Sequence, residues 1–301
     1  MSKTPARLHT LKQSPFFKLK GKGQLSSLLR LEWDAIDALL TVENYRVWLN
    51  EKNREIQQPI GRLGAVHSRI GDLLSRIELP DYLYSQKGRS YADNAWRHRG
   101  EVPLLKTDIH KFYPSTTWMM VYRMFCIEFE CAEDIAHRLA DLCCYQQKHL
   151  PTGSPVSGRI AFLAARHMFD AVYSAAERER CEMTAYVDDL TVSGANATKV
   201  LLGEIRQIIR RHGLKTTNKK SHAYAASSPK PVTGAVICGD EVRLPNERHR
   251  RIDEVRRALK AAAKTEKAKL QRTLLGRVQE AKQVLRKREL TRRSKTFRCA
   301  D

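Results

Sequence analysis

The sequence predicts an α+β fold, an antiparallel sheet with helices on one face. Three observations predict it. In MTAYVDDLTVSG, Met183 to Gly194, the apolar alternation Met183, Ala185, Val187 and then Leu190, Val192 surrounds two adjacent acids, the pattern of a β-hairpin with Asp188 and Asp189 at its tip. Helical spacing flanks that hairpin on both sides, and an apolar run precedes the whole block. The resulting order of strand, helix, hairpin, helix, strand is the split β-α-β-β-α-β arrangement of ferredoxin-like sheets.

Taken in chain order, residues 1–44 read as a helical extension with a modest excess of basic residues, as in HTLKQSPFFKLKGKGQ. Further short helical and turn-like pieces, up to about residue 100, are expected to form a layer above the sheet. EVPLLKTDI, Glu101 to Ile109, reads as the first strand of the sheet. A single helix is expected over Arg159 to Arg180, where Ile160, Leu163, Phe169, Val172 and Tyr173 share a face. After the hairpin, Leu201, Ile205, Ile208 and Ile209 mark a helix that stops at Gly213, a favourable C-terminal cap residue. A strand follows around Ser221 to Ala226. The C-terminal tail is rich in strong helix formers, with Ile252, Val255, Leu259 and Ala262 on one face and Leu270, Leu274 and Val278 on another.

The chain of 301 residues is long enough to bury a large core, and its 54 Lys and Arg against 33 Asp and Glu leave a net charge of +21. Such a surplus attracts polyanions, above all nucleic acid. More than half of it lies in the last fifth: Asn246 to Asp301 holds 19 Lys or Arg and 7 Asp or Glu. No apolar run approaches the ~20 residues of a spanning helix, and MSKTPARLHT lacks the apolar core of a secretory signal. The expected address is the cytoplasm, with no membrane partner. Cys126, Cys131, Cys143, Cys144, Cys181, Cys238 and Cys299 contain no C-x-x-C and read as reduced, mostly buried thiols.

Asp108 gives the hairpin acids a purpose. It closes the strand VPLLKTD, and the split topology places that strand beside the hairpin at the centre of the sheet. Three carboxylates would then converge, which is costly unless cations are bound. Hard oxygen ligands suit Mg²⁺. Two such ions, ~3.5–4 Å apart, activate an attacking hydroxyl and stabilise the leaving oxygen in displacement at phosphorus.

YVDD, Tyr186 to Asp189, resembles the Y-x-D-D box of reverse transcriptases, and TDIHKFYPS resembles their motif A. LPTGSPVSG (Leu150 to Gly158) lies between them like motif B, and GLKTTNKKSH (Gly213 to His222) follows like motif D. Thr152 stands where that family often has Gln, and Gly158 follows Ser157 in place of a proline, so nucleotide gripping there is expected to differ. NAWRH, Asn94 to His98, is similar to the N-A-x-x-H signature of the bacterial retron branch, and VTG, Val232, Thr233 and Gly234, to its second signature.

The resemblance implies a right-hand polymerase with a ferredoxin-like palm: extension 1–44, fingers 45–100, palm 101–235 and a basic helical thumb 236–301. By position, Asp108, Asp188 and Asp189 would hold two Mg²⁺ ions, with Asp108 and Asp188 as the bridging pair. Lys52 and Arg54 would hold the incoming triphosphate. Tyr113 would exclude a 2′-hydroxyl, Phe112 would be core, and Gly153 would admit the template–primer closely. Lys220, with Lys219 as competitor, would protonate pyrophosphate. The implied activity is RNA-directed DNA synthesis from dNTPs on the enzyme's own structured noncoding RNA, primed at a 2′-hydroxyl. Its product would be branched multicopy single-stranded DNA held as an RNA–DNA hybrid, with template removal by a host ribonuclease H because the chain ends soon after the thumb. A separate effector in antiphage defence is the implied setting. The rival readings are a defence reverse transcriptase outside the retrons and a nucleic-acid-binding scaffold that controls a toxin. An RNA-directed RNA polymerase fits the acids alone, and Tyr113 argues against it.

Overall fold

The structure, a computed structural model, describes residues 8–296. Cys299 and the first seven residues of the N-terminal extension lie outside the described residues. The first half of the chain forms α1 (Lys22–Leu29), β1 (Tyr45–Leu49), β2 (Glu55–Pro59), α2 (Gly61–Leu74), α3 (Tyr91–Arg97), β3 (Leu104–Asp108), α4 (Phe112–Ser115), α5 (Trp118–Arg123) and α6 (Glu133–Cys143). There follow α7 (Ser157–Ala164), α8 (Arg166–Arg178), β4 (Glu182–Tyr186), β5 (Asp189–Ser193), α9 (Lys199–Arg211) and β6 (His222–Tyr224). The last part comprises β7 (Lys230–Val232), β8 (Ala235–Cys238), β9 (Glu241–Arg243), α10 (Asn246–Ala261) and α11 (Lys264–Thr296).

Two compact units share these elements. The first comprises Met1–Pro80, Ile109–Ala171 and Ile209–Lys215. Its core includes Phe16 packed edge-on against Phe125 and Phe129 at 5.8 and 6.3 Å between ring centres. The antiparallel hairpin β1–β2 pairs Tyr45 with Pro59 through Leu49 with Glu55. Gln57 of β2 receives the segment Thr152–Gly153: its side-chain Oε1 accepts from the Thr152 N–H at 2.9 Å and its carbonyl from the Gly153 N–H at 3.1 Å. Buried His67 joins Ser154 Oγ and the Leu142 carbonyl, each at 2.7 Å. Burial lowers its pKa to about 4, so the ring is neutral.

The second unit comprises Asp81–Asp108, Val172–Ile208 and Thr216–Asp301. Its principal sheet has the order β4-β5-β3-β6, every pair antiparallel. The first strand and the hairpin are therefore neighbours at the centre, as the split topology requires. The outer edge of β4 is covered by the chain at Tyr82–Tyr84, which exchanges two backbone hydrogen bonds with Ala185 at 2.8 and 2.7 Å. A covered edge presents no free ladder to another chain. A second sheet, β7-β8-β9, packs with α3, α10 and α11 around Trp96, Leu104, Val232, Ile237, Ile252 and Val284. Trp96 is anchored at its polar end, where Nε1 donates to the Val284 carbonyl at 3.2 Å.

Three expectations need correction. The helix over 159–180 is interrupted at Ala165, whose φ of −105° and ψ of 12° leave the helical region between α7 and α8. An apolar stripe is blind to a one-residue break. The C-terminal tail is two helices, as its two apolar faces imply, but Ala262, expected on the first face, is the extended residue that ends α10. The segment from 236 is not purely helical, since β8 and β9 occupy 235–238 and 241–243. Those strands are too short to build a periodic signal.

Two glycines test this packing in opposite senses. A Cβ on Gly153 would lie 2.8 Å from the Gln57 carbonyl oxygen, a backbone atom that cannot swing aside. Gly153→Ala is expected to lower unfolding free energy by about 1–3 kcal/mol in urea denaturation. Gly203, inside α9 with open space around its Cβ position, is the control: Gly203→Ala is expected to raise stability by about 0.4–1 kcal/mol.

Candidate active site

The acids meet because of register. Antiparallel pairing sets Asp108, the last residue of β3, directly opposite Asp189, the first residue of β5. Asp189 also faces Tyr186 across the hairpin, so the turn is the two residues Val187 and Asp188. Val187 has φ 59°, a left-handed conformation that a β-branched side chain adopts only at a cost of about 1–3 kcal/mol. Its N–H donates to Ser85 Oγ at 3.1 Å, one of the contacts that hold the strained turn in place.

Each carboxylate has a different environment. Asp108 is only 3% exposed. Its Oδ1 accepts from the Thr217 hydroxyl at 2.8 Å, and its Oδ2 from Lys220 Nζ at 2.5 Å. The Thr217 N–H also donates to the Asp108 carbonyl at 2.9 Å, fixing the loop that carries Lys220 to the strand end. Asp189 Oδ1 lies 3.6 Å from Lys106 Nζ. Lys106 is two residues before Asp108 on β3, and the period of two puts both on one face. Asp188 has its pKa raised to about 6, first by burial and then by the charges of Asp108 and Asp189. Burial is also the main cause that raises Asp189, with Lys106 opposing it.

These oxygen donors suit a hard divalent cation, and the mutual repulsion that raises Asp188 is the repulsion such an ion would relieve. As they stand, no group of three His, Cys, Asp or Glu side chains among the described residues is arranged to hold a metal ion. Lys220 Nζ lies 2.5 Å from Asp108 Oδ2. The competitor Lys219 is exposed, and its carbonyl bonds to His222 Nε2 at 2.9 Å. Lys106 and Thr217 were missed by sequence reasoning. Lys106 could have been found from strand alternation, but nothing local marks Thr217.

The two short signatures meet in the same unit. His98 is 1% exposed, and its ring nitrogens bond Ser193 Oγ of β5 and Thr184 Oγ1 of β4, each at 2.7 Å. Burial, reinforced by the Arg97 charge, lowers its pKa to about 3, so a neutral ring clamps the two hairpin strands together. Buried Asn94 donates from Nδ2 to Thr233 Oγ1 at 3.4 Å, while the Thr233 hydroxyl donates to the Tyr91 carbonyl at 2.8 Å. Thr233 and Gly234 form the two-residue turn between β7 and β8, with φ of 41° and 81°. Positive φ at both positions is the twist-matched hairpin turn that favours glycine. A Cβ on Gly234 would also lie 2.6 Å from Arg248 Nη2. Val232 is core.

The remaining expected residues belong to the first unit. Lys52 and Arg54 are exposed in the β1–β2 loop, where Asn50 Oδ1 accepts from both backbone N–H groups at 2.9 and 3.0 Å. Phe112 is buried, as expected, and stacks on half-buried Tyr113 at 6.0 Å. A Cβ on Gly158 would lie 3.3 Å from the Tyr113 hydroxyl, so the glycine in this motif leaves room for that phenol. The six cysteines among the described residues are free thiols; Cys131, raised to about 12 by burial, is uncharged. No helix among the described residues is long and apolar enough to cross a membrane.

Against known proteins, the family model described as reverse transcriptase (RNA-dependent DNA polymerase) matches residues 41–276. The chain is 29% identical over 218 residues to the Retron Ec86 reverse transcriptase of Escherichia coli, covering 69% of this chain and 68% of that protein. It is 26% identical over 239 residues to the Retron Se72 reverse transcriptase of Salmonella heidelberg, covering 74% of this chain and 62% of that protein. A structure of telomerase from Candida albicans with a fragment of telomeric RNA matches at TM-score 0.48 and 10% identity, over 66% of this chain and 46% of that one.

The raised Asp188 predicts an unusual pH dependence. Its folded pKa of about 6 exceeds the usual 3.8, so the folded chain binds this proton more tightly than the unfolded chain does. The stabilisation is complete at pH below the unfolded value. It is lost as pH rises between about 4 and 6. Asp188→Asn is expected to flatten this part of the Tm–pH curve of metal-free protein and to raise Tm at neutral pH; an unchanged slope would show that Asp188 does not carry it.

Proposed function

The chain belongs to the reverse transcriptase (RNA-dependent DNA polymerase) family, and from that membership we propose that it is a retron enzyme. In this reading it copies its own structured noncoding RNA into branched multicopy single-stranded DNA. The observation that carries the polymerase reading is the register that sets Asp108 opposite Asp189 with Asp188 in the adjoining turn. The retron reading is supported by similarity to two retron reverse transcriptases and by the hydrogen bond that joins Asn94 to Thr233. Buried Asn94, His98 and Val232 would then serve RNA recognition through the surfaces they position.

Asp108, Asp188 and Asp189 would hold two Mg²⁺ ions, which when bound supply Lewis-acid activation of the attacking 3′-hydroxyl and charge neutralisation at the leaving pyrophosphate. The strained turn at Val187 holds the Asp188 carboxylate beside its two neighbours. Lys220, on a flexible stem, would donate a proton to the leaving pyrophosphate. Lys52 and Arg54 would grip the triphosphate, and Tyr113 would exclude a ribose 2′-hydroxyl. Gly153 would bring backbone close to the template–primer. The basic helices α10 and α11 would contact duplex phosphates without reading bases, which makes binding steeply salt dependent. Template selection would rest on RNA shape and 2′-hydroxyls. A host ribonuclease H and a separate antiphage effector would complete the system in the cytoplasm.

Expressed with its native flanking DNA, the chain is expected to copurify with a DNase-sensitive species whose mobility shifts after 2′,5′-debranching. Unbranched DNA would move the function to a non-retron defence enzyme. Asp188→Asn is expected to reduce DNA synthesis by more than about a hundredfold while RNA binding persists. Biological function that survives this loss would favour the scaffold. Tyr113→Ala is expected to admit ribonucleotides, and unchanged sugar selection would remove the gate from Tyr113.

A further inference from the structure

This chain supplies cations of its own to the acidic site. Three carboxylates lie at one end of the central strands, and two ammonium groups from the same unit answer them: Lys220 at 2.5 Å from Asp108 and Lys106 at 3.6 Å from Asp189. The two lysines are held differently. Lys106 is built into β3, with 19% of its side chain exposed. Lys220 sits in the short 3-10 turn Asn218–Lys220 with 47% of its side chain exposed, so it can leave without disturbing the sheet.

Each oxygen of Asp108 already has one partner, which leaves about two of its four acceptor sites. Its Oδ1 already accepts the Thr217 hydroxyl, and Lys220 occupies Oδ2. A cation that bonds Oδ2 meets the ammonium there. Displacing it costs the ion pair, and leaving it in place sets like charges side by side. Both effects weaken metal uptake.

We propose that Lys220 is the resident counter-cation of the metal-free site: it holds the Asp108 oxygen that an incoming divalent ion requires and is displaced when that ion binds. This rests on the reading of Asp108, Asp188 and Asp189 as metal ligands and assigns Lys220 a role before catalysis, distinct from proton donation during it. Lys106 remains on Asp189 as a fixed charge. Uptake of the ion at Asp108 would thereby release Lys220 toward solvent, so one event both loads the carboxylate and frees the ammonium.

The test is Mn²⁺ binding to the full-length, metal-free chain without nucleotide or RNA, read from the free-ion signal in electron paramagnetic resonance. Sites that persist in Asp108→Asn serve as background. Lys220→Gln is expected to bind Mn²⁺ at the Asp108-dependent site on the order of fivefold more tightly, the scale of a partly exposed ion pair. Lys220→Arg, which keeps the charge, is expected to bind as wild type does. In the absence of metal, Lys220→Gln is expected to lower Tm, with Mn²⁺ restoring it at lower concentration than in wild type. Unchanged or weaker Mn²⁺ binding in Lys220→Gln, with the Asp108-dependent site intact in wild type, would overturn the proposal and leave the ligand reading standing. Tightening in Lys220→Arg equal to that in Lys220→Gln would also overturn it. If Asp108→Asn and wild type bind Mn²⁺ alike, the ligand reading itself fails.

Discussion

Like charge held at close quarters is the constraint on which the second unit is organised. Asp108, Asp188 and Asp189 are brought together by backbone register, and nothing in the pairing of β3 with β5 relieves their repulsion. Relief comes from side chains, not from the backbone ladder. Lys220 and Thr217 arrive on the loop before β6, and Lys106 rises from β3 itself. Asp188 holds its proton well above the usual carboxylate range, first because it is buried and then because of the charges of Asp108 and Asp189. A folded chain keeps such an arrangement only where the surrounding structure over-determines it, and such strain clusters at functional sites.

That over-determination comes from neutral contacts. His98 spans β4 and β5 through Thr184 and Ser193, so a buried ring ties together the strands that meet at the acidic turn. The helix that carries His98 also carries Asn94, and Asn94 reaches the β7–β8 turn at Thr233. Arg248 links the same region to α11: one guanidinium nitrogen lies 2.7 Å from Glu280 and 3.2 Å from the Tyr91 hydroxyl. A short signature and a two-residue turn, far apart in the chain, thus form one support for the acidic hairpin. Asn94, His98 and Val232 are buried, so their role is positional.

The first unit follows a parallel logic with different chemistry. Gln57 of β2 holds the Thr152–Gly153 loop through both side chain and backbone, and His67 holds Ser154 next to it. Gly153 is required there because a backbone oxygen occupies the space of a Cβ. Gly158, where a proline was the expected residue, leaves the Tyr113 hydroxyl its room. Thr152 and Gly158 are thus accommodated by local packing.

Local order determined much that could be read without coordinates. Alternation placed the hairpin, although its turn is Val187 and Asp188 and the second acid, Asp189, opens β5; helical spacing placed α9, and the chain order of the elements implied a sheet with β3 and β5 adjacent at its centre. The family followed from motifs whose spacing survives in one dimension. Tertiary structure alone decided the break at Ala165, the β7-β8-β9 sheet, the ion pair of Lys220 with Asp108, and the joining of Asn94 to Thr233. The division has a physical cause. Periodicity records which face of an element is apolar, and that is a property of neighbours along the chain. An ion pair between residues 112 positions apart, or a hydrogen bond across 139, depends on register and loop geometry that no local pattern contains.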